Sequence, residues 1–298
     1  MAAEIYYGKS NVSVYRTYAT PLKGLTAIPE SGFTERSNNL LAVDVDVRVF
    51  GNAFLPAYTE GDNSMVVATD TMKNFILEES VNYTGATIEG LLEMLGQRFL
   101  RTYSVMEWVR MTGREIPFVS ASSNDNLYSM GNSDYTTATL DIKRNGAGFV
   151  VSDHQCGRVG FKLVKLTGSA FAGFDRDRYT TLEERPDRLL YIFMDMYWKY
   201  ADPAVMLDPQ HTGYVAAEQI RDLACYTFND FVSMSIQHLM YEIGTRTLER
   251  FPQLIEVSFD GQNRTWDLGF TSAQDKKVRS YCDPRPPYGS LGLVLRRD

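Results

Sequence analysis

The sequence predicts an α+β fold, an antiparallel sheet with paired helices packed on one face. Three observations lead there. Apolar and polar residues alternate in several segments, which is the period of half-buried strands. Elsewhere apolar residues recur three and four apart, which is the period of amphipathic helices. The two patterns run in the order strand-strand-helix-helix-strand-strand, twice over, and that grouping favours helices segregated to one side of an antiparallel sheet. The halves part near residue 145, so domains are expected over 1–145 and 146–298, with a repeat of pattern but none of sequence.

Residues 4 to 18 alternate loosely and predict the first strand. Residues 40 to 50 alternate cleanly, with Val43, Val45, Val47 and Val49 on one face and Asp44, Asp46 and Arg48 on the other. The acidic pair is expected on a solvated sheet face rather than on a metal. In the run GDNSMVVATDTMKN (61 to 74), small and β-branched residues predict a strand that ends at Thr69-Asp70, where a helix over about 71–80 begins. The pair has the composition of a helix N-cap. A hydroxyl, a carboxylate and free backbone N–H groups at a helix start also suit a small polar anion. A second helix is expected over 87–101, with Thr87 as its cap and Ile88, Leu91, Leu92, Leu95 and Phe99 on one stripe. Strands return near 103–112 and 135–143, around a polar, turn-rich surface loop over 122–134.

The second half opens with strands over 149–167 and 189–200. A helix over 214–229 carries Ile220, Leu223, Ala224 and Phe228, and another over 234–248 carries Ile236, Leu239, Met240 and Ile243. Strands near 254–260 and 290–296 complete the set, and Pro252 limits the last helix.

Composition narrows the function. The chain has 298 residues, 44% of them apolar and 12% aromatic, enough for a large core and about two domains. No apolar run approaches the roughly 18 residues that span a bilayer. The segment MAAEIYYGKSNVSVY has no signal-peptide core and LVLRRD carries no Ser-Lys-Leu address, so a cytoplasmic location is expected. A net charge of −7 argues against nucleic acid as a partner. Cys156, Cys225 and Cys282, like His154, His211 and His238, are scattered without metal-ligand or disulfide spacing. There is no glycine-rich dinucleotide fingerprint either. No metal or cofactor is therefore expected.

Several segments, in order, resemble urate oxidases. They are Tyr7-Gly8-Lys9, the run 61 to 74 with Thr69-Asp70, TGSAFAGFDRDRYTTLEERPDR (167 to 188), SIQHLMYEIG (235 to 244), FDGQNRTWD (259 to 267) and the turn Pro284-Arg285-Pro286-Pro287-Tyr288-Gly289. The similarity extends from about residue 7 to 289. It implies the tunnelling fold, two such domains per chain whose sheets close into a barrel on association, as a homotetramer with its site at a subunit interface. It also implies cofactor-free oxidation of urate by O2 to 5-hydroxyisourate and hydrogen peroxide.

The resemblance assigns roles residue by residue. Lys9 takes part in proton transfer, and Thr69 relays protons through water. Thr69 and Asp70 contact urate from across the interface. Phe171 stacks on the purine and Arg188 grips it. Ile236 offers a backbone contact, Gln237 pairs with a purine edge, and Asn263 holds the oxygen or water site. The residue types suit these tasks. A flat purine gains about 1–3 kcal/mol from an aromatic face, and a guanidinium fork matches two adjacent acceptors. A lysine that serves as a base near pH 7 must give up about 4.6 kcal/mol of its charged form's stability. That role needs a desolvated pocket or a neighbouring cation.

One place departs from the family. Many members read Asn-Lys-His, where the histidine extends the relay, but this chain reads Asn263-Arg264-Thr265. Thr265 keeps a hydrogen-bond chain without titrating near neutrality. A shifted alignment would put Arg264 opposite the histidine and Gln262 opposite the asparagine; the unshifted one is preferred because it keeps Asn263. Two alternatives stand beside urate oxidation. One is a pterin-acting enzyme of the same fold, the other a purine-binding protein without turnover.

Overall fold

The computed structural model describes residues 4–131, 134–264, 266–282 and 286–297. In chain order, β1 (Tyr7–Thr17) and β2 (Leu40–Phe50) lead to the single turn α1 (Leu55–Thr59) and the helices α2 (Thr69–Val81) and α3 (Ile88–Thr102). Then come β3 (Trp108–Glu115), the small strands β4 (Phe118–Ser120) and β5 (Tyr128–Met130), and the long pair β6 (Tyr135–Asn145) and β7 (Gly148–Lys165). After β8 (Leu190–Tyr200) come α4 (Ala217–Asp230), α5 (Ile236–Arg250) and β9 (Leu254–Asn263). Strands β10 (Leu268–Thr271), β11 (Arg279–Tyr281) and β12 (Gly289–Arg296) follow. The main sheet runs β1-β2-β3-β6-β7-β8-β9-β12, antiparallel throughout. Among the described residues, only β1 and β12 are left with an open edge in it.

Alternation gives this sheet two faces of opposite character. Val43, Val45, Val47 and Val49 are fully buried, and α3 lays Leu91, Leu92, Leu95 and Phe99 over that side. The approach is close. A Cβ on Gly96 would stand 2.3 Å from Ile142 Cδ1, so any other residue there would force the packed side chains or the helix to shift. In the second half, Ile220, Leu223, Ala224 and Phe228 of α4 and Ile236, Leu239, Met240 and Ile243 of α5 join the same core. The opposite face is not simply solvated. Arg114 holds Asp46 at 2.8 Å, and Arg110 grips Asp141 through two bonds of 2.6 and 2.7 Å. A tight turn joins β6 to β7, and the sheet continues unbroken across it. Buried polar contacts also tie the two halves. Tyr214 Oη donates to Glu89 at 3.0 Å, and Arg36 pairs with Glu218 at 2.9 Å. Burial pushes the Glu89 carboxyl up.

Four local expectations need correction. Residues 61–68 form a turn and loop instead of a strand, because Val66 N–H closes on Asn63 O at 3.0 Å and Val67 N–H donates to the Tyr7 hydroxyl at 2.9 Å rather than to a strand backbone. The helix after them starts earlier than expected. Ala68 occupies its N-cap without any side-chain cap, and Thr69 and Asp70 are its first residues. The polar stretch 122–134 contains β5, which pairs with β4 in a separate hairpin. Residues 103–106 make a turn, closed by Met106 N–H to Tyr103 O at 3.1 Å, so β3 begins at Trp108. The β10–β11 hairpin and α1 carry too little pattern to be anticipated. No helix among the described residues is long and apolar enough to cross a membrane.

Candidate active site

The link between β7 and β8 is braced from within. Asp187 accepts from Thr167 Oγ1 at 2.6 Å and from Gly168 N–H at 2.7 Å. Arg188 N–H donates to Ser169 O, while Phe171 and Arg185 exchange both backbone bonds, all at 2.8 Å. Two short strips thus run side by side, one carrying Phe171 and the other Arg188. The Arg188 guanidinium carbon lies 5.4 Å from the centre of the Phe171 ring, and Phe174 stacks on that ring at 5.0 Å.

Arg188 is short of partners. Its Nε is buried and unbonded, and no carboxylate pairs with it among the described residues. Burial, and then the charge of Arg185, push its guanidinium below the ordinary arginine range. The side chain opens on a cleft of about 250 Å³, walled in part by Phe171, Tyr191, Asn263, Arg264 and Trp266. Trp266 Nε1 is a second buried donor without a partner. Buried donors are normally satisfied, and each orphan costs about 1–3 kcal/mol. Two of them on one cleft fit a ligand rich in acceptors. Asn263 reaches this place as the last residue of β9, where it lies between Ile192 of β8 and Gly289 of β12.

Ile236 and Gln237 do not line the cleft. Ile236 is buried in the core and Gln237 is exposed, both in the first turn of α5, which Ser235 caps by accepting from His238 N–H at 3.0 Å. Their element is nonetheless tied to the cleft. Ala170 N–H donates to Ser233 O at 2.7 Å and Ser233 N–H to Gly168 O at 3.2 Å, lashing the loop before α5 to the strip that carries Phe171. Lys165 Nζ steadies the same loop through the carbonyls of Phe228 and Phe231, at 2.8 and 2.7 Å.

Lys9, Thr69 and Asp70 stand elsewhere. Lys9 faces Val47 across the β1–β2 ladder, beside a register shift in which Asn11 takes a left-handed φ of 55°. Asp70 is exposed and accepts from Lys73 Nζ at 2.6 Å and Asn74 Nδ2 at 3.3 Å. Those contacts, Lys73 foremost, hold its carboxyl below the usual range, and the charge of Lys9 adds to the effect. Lys9 and Asp70 are therefore neighbours, with Thr69 half-buried beside them. None of the three lines the cleft of Phe171 and Arg188. Thr265 lies outside the described residues, as does Arg285.

A family profile described as Uricase matches residues 154–291. The uricase of Haloferax volcanii is 46% identical over 301 residues, covering 98% of this chain and 97% of that protein. The chain belongs to the uricase family. A second relative is the uric acid degradation bifunctional protein of Bacillus sp. (strain TB-90), 44% identical over 96% of the chain. The chain spans 59% of that bifunctional protein's length. The crystal structure of Bacillus sp. TB-90 urate oxidase matches with a TM-score of 0.95 at 43% identity, covering 98% of this chain and all of that one. The α+β fold with its antiparallel sheet is thus common to both.

Some cleft residues carry no signal readable in sequence. Asp187 braces the site through its carboxylate, and Ser169 and Ser233 brace it through backbone bonds, all of which depend on the folded path. The neighbourhoods of Arg264 and Trp266 appear only once β8, β9 and the segment before β12 meet.

Proposed function

We propose that this chain is a urate oxidase, which converts urate, O2 and water to 5-hydroxyisourate and hydrogen peroxide at a site completed by a second copy. The observation that carries the reading is the half-buried Arg188, whose Nε is buried and unbonded, beside Phe171 in a ring-walled cleft, in a member of the uricase family. Phe171 stacks on the purine, Arg188 takes two of its acceptors, and Asn263 bounds the place of O2 or water. Gln237 reaches the purine edge with its amide, and Ile236 contributes backbone. Urate itself supplies the two electrons that pass to O2. The protein orients it, stabilises its negative charge and moves protons.

Lys9 and Thr69 handle those protons, with Asp70 beside them and Thr265 extending the chain of hydroxyls. Lys9, Thr69 and Asp70 come from a neighbouring copy. Support lies in the two open sheet edges, since an unpaired edge invites a strand from another chain. Were β1 of one copy to join β12 of the next, its Lys9 strand would lie two strands from Asn263, about 10 Å at the usual spacing. In this reading, residues 1–145 and 146–298 are two tunnelling-fold units whose sheets close into a barrel on association, and the assembly is a homotetramer.

The test is direct. Purified protein mixed with urate in air should consume urate's ultraviolet absorbance and release one peroxide per urate. Tight purine binding without either change would leave the binding-protein alternative standing and refute turnover. The pterin alternative loses its ground to family membership.

A further inference from the structure

Arg264 has a setting that the implied roles leave unused. It follows Asn263 directly and lines the same cleft as Arg188. Its guanidinium carbon lies 4.3 Å from the ring centre of Phe193 and 4.5 Å from that of Tyr288, so it is held between two aromatic faces. Nε and Nη2 both donate to Gln262 Oε1, at 2.9 and 2.7 Å. Among the described residues no carboxylate pairs with it. Rings and an amide fix the orientation of this cation without neutralising it, and the remaining N–H groups keep their capacity to donate.

The setting around it has the same sign. Arg185, Arg188, Arg264 and Arg279 line the cleft, against Asp187 and Asp267, with Glu183 paired to Arg185 at 3.2 Å. The carboxylate of Asp187 is engaged by Thr167 and Gly168. A chain of net charge −7 thus gathers positive charge at one concave place. Such focusing selects for anions.

We propose that Arg264 is a second cationic binding residue of this cleft, which selects the anionic over the neutral form of a bound purine. The assignment rests on the urate oxidase reading for the class of ligand. Arg188 and Arg264 then both act on the bound ring from the lining of one cleft. A guanidinium within about 8 Å of the bound charge changes anion affinity about tenfold or more at the effective dielectric of a partly buried site.

A purely structural clamp would place Arg264 in the same position, so the test must separate charge from packing. Xanthine serves as the probe, its equilibrium binding measured by calorimetry below and above its own ionisation. One molecule is then compared with itself in two charge states. In Arg264→Gln, binding of the anion should weaken about tenfold while binding of the neutral form stays within about twofold. Arg264→Lys should recover most of the loss. Gln262→Glu strengthens the clamp but sets a carboxylate against the guanidinium, and it should weaken anion binding selectively. It also supplies an answer if Arg264→Gln does not fold.

Equal losses for both forms in Arg264→Gln, or undiminished anion binding in Gln262→Glu, would make Arg264 a clamp only and overturn the proposal. So would a wild-type protein that binds neither form. A protein that prefers the anion but leaves urate unoxidised would refute the catalytic reading while upholding the role of Arg264.

Discussion

The cleft of Phe171, Arg188 and Asn263 is walled on several sides and braced by backbone bonds, whereas Lys9, Thr69 and Asp70 lie outside it on the surface of α2 and the β1 edge. Arg188 is already half-buried, its Nε is buried and unbonded, and among the described residues no carboxylate pairs with it. Asp70 is satisfied by its own helix and open to water. The contrast separates binding from proton chemistry. A grip on a purine can be preformed in one chain. The proton-handling groups gain a low-dielectric setting only when another surface covers them. The proposed division, binding in one copy and proton transfer from the next, is the simplest way to make both work.

The sharpest way to break the contrast is Lys9→Met. General acid–base groups are worth about 10²–10⁴ in rate, so turnover should fall at least a hundredfold with KM changed by no more than a few-fold. A raised KM at unchanged kcat would move Lys9 from proton transfer to binding. Arg188→Ala should do the reverse. It removes charge-assisted bonds worth about 2 kcal/mol, hence about thirtyfold in substrate affinity. Steady-state kinetics with urate decide both, and an unaltered KM in Arg188→Ala would remove it from the grip.

The two variants together test the shared site. Each should be nearly inactive alone at low urate. If each site draws Lys9 from one copy and Arg188 from another, mixed assemblies contain intact sites. Random mixing after unfolding and refolding together should restore about a quarter of wild-type activity. No recovery, in material shown by mass to be mixed, would put both residues in one chain's site.

How far the sequence reaches depends on whether a feature is local. The valines of β2 announce their face because period two is a property of neighbouring residues. Thr87 announces α3, and it does accept from Gly90 N–H at 3.1 Å. Val66-Val67 misleads because strand propensity says nothing about the presence of an edge to pair with. Trp108 begins β3 five residues late because the turn at 103–106 is set by the return of α3. In the site, resemblance named Phe171, Arg188 and Asn263, and these share one cleft. The absence of a partner for Arg188 was not legible, since it concerns what distant segments fail to supply. The clamp on Arg264 has the same cause, because the two rings that hold it, Phe193 and Tyr288, come from segments distant in sequence.

The smallest expected effect tests the bracing itself. Asp187 carries a charge beside an anion site and also fastens the strip of Phe171 to that of Arg188. Those roles predict opposite signs. If its charge matters more, Asp187→Asn removes repulsion and urate should bind tighter. If its bonds matter more, the strip loosens and KM rises. The carboxylate is exposed and its field is screened within about 8 Å at physiological salt, while an asparagine cannot accept both existing bonds in the same way. A rise in KM of about threefold is therefore expected, less than a full hydrogen bond because water substitutes for part of it. Thr167→Val removes one of the same bonds without altering charge and should shift KM in the same direction. The Thr167 hydroxyl, with backbone N–H groups, holds the Asp187 carboxyl below its usual range. A carboxylate so depressed keeps its bracing effect above its unfolded value and loses it only as pH falls below about 4. Between neutrality and mild alkali, this contribution to KM should stay flat. A fall in KM for Asp187→Asn, with Thr167→Val silent, would show that the cleft is shaped by charge alone and that its backbone bracing is incidental to binding.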